Sequence, residues 1–441
     1  MAEAVQDKHV ETRDLYTNFY TYEGVVRALN GVCVKVNHKE TYGLVGESGC
    51  GKSVTVRSMM RIVQAPGKIE EGKILLFLNE EDKTKGIDIV KRSEAYMQSI
   101  RGDDISMIFQ EASTSLNPVL SIGFQVGESF FLHRMPELLE KTVQRLDEEI
   151  KNHKGMGRWW RNFQKNVLEK ELSAQKTYEK NVLEIDNKLY ELEDRDDHQA
   201  VKAKTELNKK RENLKETNMY ADFIKHVPFL RRYTGNLKKT VRGMVIQLLT
   251  ELGVPNPDNI VDRYPHELSG GMQQRIVIAI ALACHPMLLI ADEPTSNLDV
   301  TIQAQILDLI KTLKETTISS VLFITHDLGV VAEVCDRVTV MYAGDTCETA
   351  EVKELFQKPL HPYTKGLLKS VPKVEQSESL DTIPGIVPNL VQPPSGCRFH
   401  PRCPFAMDIC KREKPGIYTD ENNPGHTVSC HLYCSKEAEN A

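Results

Sequence analysis

Two short glycine-bearing segments concentrate the chemistry of this chain. The first, Gly46-Glu47-Ser48-Gly49-Cys50-Gly51-Lys52-Ser53, has the GxxxxGK[ST] pattern of a phosphate-binding loop. Gly46, Gly49 and Gly51 let backbone N–H groups turn inward around an anion. A helix opening at Ser53-Val54 adds the partial positive charge of its N-terminus. Lys52 can reach the β- and γ-phosphates of a nucleotide, and the Ser53 hydroxyl can ligate Mg2+. The second segment is Leu268-Ser269-Gly270-Gly271-Met272-Gln273-Gln274-Arg275. There Ser269 and the amides of Gly270 and Gly271 open an apolar helix, a second anion-binding terminus. Soon after it, the apolar run Met287 to Ala291 ends in Asp292-Glu293. Asp292 can hold Mg2+ through water, and Glu293 is placed to act as general base on an attacking water. A further run, Ser320 to Thr325, ends at His326. A lone histidine after a strand is usually structural. Beside a phosphate loop and an Asp-Glu pair, its imidazole can contact the γ-phosphate and hold the water in line.

These residues need strands and helices to place them. Thr41 to Val45 reads as a buried strand and Ser53 to Met60 as a helix, which is the context the loop requires. Near-continuous apolar runs fit parallel strands covered on both faces. The chain has 441 residues, 40% hydrophobic and 27% charged, with a net charge of −6. That is room for two or three domains, with no overall basic field to attract nucleic acid. The N-terminal residues have neither a basic region nor an apolar core, so no signal peptide is expected. The longest apolar run, Ile276 to Cys284, has nine residues, about half of what spans a bilayer. No transmembrane segment is expected.

Taken together, these motifs resemble those of the ATP-binding-cassette (ABC) ATPases. The resemblance implies a RecA-like P-loop core with an antiparallel β edge, a helical subdomain, and ATP with Mg2+ as ligands. It implies that Ser269, Gly270, Gly271 and Gln273 form the signature that closes over ATP held by a partner cassette. Gln110, after the strand Asp104 to Phe109, matches the glutamine switch, which touches Mg2+. Ser296-Asn297-Leu298-Asp299 matches the loop that crosses to the opposite site, with Asn297 where relatives commonly carry alanine. Tyr22, or else Tyr20, stands where the family stacks a ring on adenine. Other segments are similar to oligopeptide and dipeptide importer ATPases: Ser115-Leu116-Asn117-Pro118, Asp299 to Leu307, and Pro359-Leu360-His361-Pro362-Tyr363-Thr364. That closer likeness implies a peripheral protein on the cytoplasmic face of the cell membrane. Its partners are a second ATPase subunit, two transmembrane permease subunits and an extracellular peptide-binding protein. An importer of nickel or another small solute is the alternative, as is a non-transport ABC ATPase acting on ribosomes or nucleic acid.

The expected domains are 1–110, the core with the phosphate loop; 111–275, the helical subdomain; 276–347, the second half of the core; and 348–441, a C-terminal extension. Five of the ten cysteines lie in the last 45 residues. Cys397, Cys403, Cys410 and Cys430, with Cys434 close behind, occupy a stretch too small to form its own core, which suggests a metal staple. Soft sulfur donors select zinc or an iron–sulfur cluster. Resemblance to the importer tail favours a [4Fe–4S] cluster, with Arg398, Arg402 and Lys411 offsetting its charge. Residues 136–240 are an extra block. Leu139, Val143, Leu146 and Ile150, then Tyr178, Val182, Ile185, Leu189 and Leu192, repeat at heptad spacings. Two or three helices folded back on one another are expected, with a break at Gly155-Met156-Gly157. Trp159 and Trp160 there either pack the base of the hairpin or form a docking patch.

Overall fold

A computed structural model describes residues 8–78, 86–110, 112–152, 154–192, 198–216, 231–296, 298–316, 320–370 and 383–433. Its strands are β1 (Lys8–Thr21), β2 (Gly24–Asn37), β3 (Thr41–Val45), β4 (Gly67–Leu76), β5 (Ile87–Asp88), β6 (Ile105–Ile108), β7 (Leu288–Asp292), β8 (Ser320–Thr325), β9 (Arg337–Tyr342), β10 (Asp345–Glu351), β11 (Tyr418–Asp420) and β12 (Asn423–Val428). The chain divides into two units. Residues 1–90, 104–111 and 285–441 form one; residues 91–103 and 112–284 form the other.

The first unit holds two sheets. One has four strands in the order β2-β1-β4-β5, paired antiparallel. The other has eight strands in the order β11-β12-β10-β9-β3-β8-β7-β6. Strands β9, β3, β8, β7 and β6 run parallel, while β10, β12 and β11 form an antiparallel edge. β3, β6, β7 and β8 are buried along their whole length. This is why their sequences are apolar runs and not alternations. Helices Lys52–Met59, Val300–Thr316 and Leu328–Val334 follow β3, β7 and β8, as parallel crossovers demand.

The second unit is helical. Helix Glu94–Ile100 starts at Ser93, whose hydroxyl accepts from the Tyr96 N–H, and helix Ile122–His133 starts in the same way at Ser121. Helices Met135–Lys151 and Met156–Glu191 lie against each other, with Lys165–Asp147 at 2.7 Å and Arg161–Glu149 at 3.0 Å across the pair. Gly155, at φ 63°, makes the break between them. Leu139, Leu146 and Ile150 of the first heptad run are buried. Of the second run only Ile185 is; Tyr178, Val182, Leu189 and Leu192 are half-buried. Val143 of the first run is half-buried, so the apolar seam is closed further along the first helix than along the second. Trp160 stacks on Phe163 at 5.7 Å, while Trp159 is 64% exposed. Helix Met156–Glu191 is fastened to helix Glu94–Ile100 by Arg92, whose guanidinium lies over the rings of Tyr96 (4.5 Å) and Tyr190 (3.7 Å). Beside it Arg211 pairs with the buried Asp186 at 2.9 Å.

Candidate nucleotide site

The phosphate loop leaves the carboxyl end of β3 and turns into helix Lys52–Met59. Gly46 has φ 152° and sits so close to the next strand that a Cβ would lie 2.2 Å from the Met341 carbonyl oxygen. Gly51, at φ 102°, would put one 2.9 Å from the Ala28 carbonyl oxygen. Both positions demand glycine. Lys52 is buried, and its Nζ donates to the carbonyls of Gly46 (2.8 Å) and Glu47 (3.1 Å), which holds the ammonium inside the loop. Ser48 and Gly49 are exposed, Cys50 is buried and Val54 is half-buried. The Ser53 hydroxyl donates to Asp292 Oδ1 at 3.0 Å. Burial pushes the Asp292 carboxyl up, and the Ser53 hydrogen bond partly offsets this. A hydroxyl and a carboxylate facing each other beside a phosphate cradle are the hard oxygen donors that Mg2+ takes.

Glu293 is the meeting point of the remaining candidates. Its backbone is left-handed, with φ 48°, and its N–H donates to the Ile324 carbonyl at 2.9 Å. That conformation turns the side chain off the end of β7. Oε2 accepts from Gln110 Nε2 at 3.0 Å, and Oε1 lies 3.1 Å from His326 Nδ1. The Ser296 hydroxyl donates to the carbonyls of both Gln110 and Glu293, each at 3.0 Å. Gln110, Glu293 and His326, far apart in sequence, form one hydrogen-bonded group, with His326 65% exposed at its outer edge. The remaining residues lie elsewhere. Tyr22 occupies the tight turn between β1 and β2 and is fully exposed; the Tyr20 hydroxyl donates to Glu70 at 2.7 Å. Asp299 is exposed, and its carbonyl accepts from Gln303 at the start of helix Val300–Thr316. Asn297 lies outside the described residues.

In the second unit, Ser269 caps helix Gly270–Leu282 from an extended conformation, with its hydroxyl making no cap bond. Ser269 and Gly270 are exposed and Gly271 is half-buried. Gln273 turns back instead: its amide donates to the carbonyls of Pro265 (2.9 Å) and Leu268 (3.2 Å), bracing the approach to the helix.

Two residues that the motifs did not single out for this role grip the phosphate loop, and a third holds one of them. Arg402 makes a two-pronged ion pair with Glu47, at 2.7 and 3.1 Å, and is itself 6% exposed. Its other donors reach the Pro384 and Ile383 carbonyls. The Tyr363 hydroxyl accepts from the Glu47 N–H at 2.9 Å. His361 Nδ1 in turn accepts from the Tyr363 N–H at 3.0 Å. Burial pushes the His361 imidazole down to about 4, so the ring is neutral and can accept. The basic residues expected to offset a cluster are thus engaged elsewhere: Arg402 with Glu47, Arg398 with the carbonyls of Ala343 and Arg27 and with Asp345, Lys411 with Asp408. The Cys397 N–H donates to the Cys410 carbonyl at 2.8 Å. Burial pushes the Cys397 thiol up to about 12. Cys434 lies outside the described residues.

Residues 29–296 match the family described as ABC transporter, and residues 347–410 match the C-terminal region of oligopeptide/dipeptide transporters. The chain is 37% identical over 437 residues to the dipeptide transport ATP-binding protein DppD of Bacillus subtilis, covering 99% of this chain and 97% of that one. It is 38% identical over 432 residues to the oligopeptide transport ATP-binding protein AppD of the same organism, covering 98% of each. Among solved structures, the dimeric bacterial ABC transporter cassette MJ0796 is 18% identical and gives a TM-score of 0.46, covering 78% of this chain and 98% of that one.

Arg402→Ala leaves the Glu47 carboxylate without its cation in a loop built for anions. Nucleotide affinity is expected to fall by about tenfold, the scale of one charge-assisted contact. Arg402→Lys should restore it only in part, because an ammonium cannot make the two-pronged pair. Titration with a fluorescent ATP analogue measures both.

Proposed function

The chain belongs to the ABC transporter family, and from that membership we propose that it is the ATP-hydrolysing subunit of an importer for oligopeptides or dipeptides. The observation that carries the peptide reading is the match of residues 347–410 to the C-terminal region of oligopeptide/dipeptide transporters. In this structure that segment supplies the Tyr363 and Arg402 contacts to Glu47. No helix among the described residues is long and apolar enough to cross a membrane. The membrane passage then belongs to partners: two permease subunits, a second cassette ATPase and an external peptide-binding protein. The chain sits peripherally at the cytoplasmic face.

The roles follow from placement. The backbone of Gly46 to Gly51 and the helix N-terminus bind the phosphates. Lys52 swings from the loop carbonyls onto the β- and γ-oxygens. Ser53, Asp292 and Gln110 would hold Mg2+, which would neutralise charge on the phosphate oxygens. Glu293 takes the proton of the attacking water, while Gln110 and His326 fix the direction of its carboxylate. Tyr22 offers an open ring for adenine. Ser269, Gly270 and Gly271 serve ATP held by a second cassette, and Asp299 lies in the loop that crosses to that partner. Gln273 braces the signature. The domain limits 1–110, 111–275, 276–347 and 348–441 divide the chain by these tasks.

The four thiols of Cys397, Cys403, Cys410 and Cys430 are a soft donor set fit for a [4Fe–4S] cluster. A single tetrahedral zinc held by the same thiolates is the alternative.

Three outcomes are expected. Glu293→Gln should keep ATP binding and lose at least about 100-fold in turnover; normal hydrolysis would reassign the base. Gentle solubilisation of native membranes should recover two multi-span proteins and a second cassette with this chain, whereas recovery of ribosomal proteins alone would overturn the transport reading. Protein purified without oxygen should carry iron and sulfide in roughly equal amounts, as a [4Fe–4S] cluster requires; zinc in their place would favour the single-ion alternative.

A further inference from the structure

We infer that Glu354, Asp420 and His426 form a binding site for a divalent transition-metal ion of the zinc class, separate from both the phosphate loop and the cysteines. The three residues come from different elements. Glu354 is on helix Val352–Gln357, Asp420 ends β11, and His426 lies in β12. Their donor atoms all lie within 4.8 Å of one another.

The histidine decides the matter. Its side chain is 0% exposed. Its Nε2 lies 2.7 Å from Glu348 Oε1. Glu348 also accepts the N–H groups of Leu360 (2.7 Å) and His361 (2.9 Å). Both of its oxygens accept, Oε1 from Leu360 and Oε2 from His361, and such a carboxylate beside the ring fixes the imidazole proton on Nε2. Nδ1 is then a bare lone pair, buried, with no hydrogen-bond partner. The groups facing it are acceptors too: Glu354 Oε1 is 3.9 Å away, beyond hydrogen-bond reach. Burying an acceptor without a donor is costly. A cation among three electron-pair donors removes the cost.

The geometry suits such an ion. Zinc sits about 2.0–2.2 Å from imidazole nitrogen and carboxylate oxygen. Two tetrahedral ligands at that distance stand about 3.4 Å apart, and His426 Nδ1 and Glu354 Oε1 stand 3.9 Å apart. Glu354 is half-buried, so its side chain can close the remaining gap. An imidazole whose far nitrogen is held by a carboxylate is the usual outer support of a bound metal. The imidazole also selects zinc, nickel or cobalt over calcium and magnesium. One cation already competes. Lys358 Nζ lies 2.7 Å from Asp420 Oδ2, and its side chain is 53% exposed, free to leave when a metal enters. The other Asp420 oxygen accepts the Asn422 N–H at 3.1 Å. The rival state is a doubly protonated His426 held by Glu348 and Glu354 alone.

Cobalt(II) titration of the full-length protein under anaerobic conditions separates these states. Expected is one equivalent with visible d–d absorption and no thiolate-to-cobalt charge-transfer band, the band that marks cysteine ligation. Glu354→Gln, a change at a half-buried position, should weaken that equivalent by at least about tenfold. Lys358→Met should tighten it, because the competing ammonium is gone. No cobalt bound, cobalt bound only with the thiolate band, or equal affinity in all three proteins would overturn the proposal in favour of the protonated pair.

Discussion

The Gln110–Glu293–His326 group exists because three parallel strands stop at the same level. Val45 of β3 pairs with Thr325 of β8, and Asp292 of β7 pairs with Ile324. The phosphate loop, the Asp292-Glu293 pair and His326 therefore leave the sheet at one edge. A strand buried on both faces has no polar face to resist a slip. Register must come from its ends, and it does. Glu293 N–H donates to the Ile324 carbonyl at one end, Val321 N–H to the Glu40 carbonyl and Ser320 N–H to the Met287 carbonyl at the other. A shift of one residue would break these bonds and carry Glu293 away from Gln110 and His326.

That edge is finished by residues from the far end of the chain. Glu47 places a carboxylate in a loop whose purpose is to attract anions, which opposes nucleotide binding unless a cation offsets it. The offset comes from Arg402, 355 positions away. Tyr363 takes the Glu47 N–H and is packed by Tyr342 and Phe399 at ring distances of 4.7 and 5.3 Å. The C-terminal segment thus holds the phosphate loop through Arg402 and Tyr363.

What was legible in the sequence follows from locality. A phosphate loop is eight consecutive residues whose glycines, lysine and serine each answer a local demand, so strand, loop and helix could all be read. The Asp292-Glu293 pair and His326 were legible as strand ends, and the reading that they belong with Gln110 came from resemblance. Contacts between distant segments leave no such mark. Nothing in the spacing of Arg402 points to Glu47; it sat among cysteines and was expected to serve them. Gln273 lies inside a legible motif, yet its amide is used on backbone carbonyls. The helices of residues 136–240 were legible from heptads. Of the second run only Ile185 is buried, a matter of packing that spacing does not encode.

Glu348 shows how the extension fixes the loop. Its carboxylate gathers His426, the Leu360 N–H and the His361 N–H. His361, kept neutral by burial, accepts from Tyr363, and Tyr363 holds Glu47. Every link is a buried or half-buried hydrogen bond between groups with few rotamers left. Such a chain transmits position well: removing Glu348 would release the start of the Pro362–Lys369 helix and, through it, the Tyr363 hydroxyl. It is not by that fact a signalling path, because coupling requires an element with two arrangements that both ends bias. These contacts tie the phosphate loop, whose turns at Gly46 and Gly51 only glycine makes readily, to the C-terminal segment.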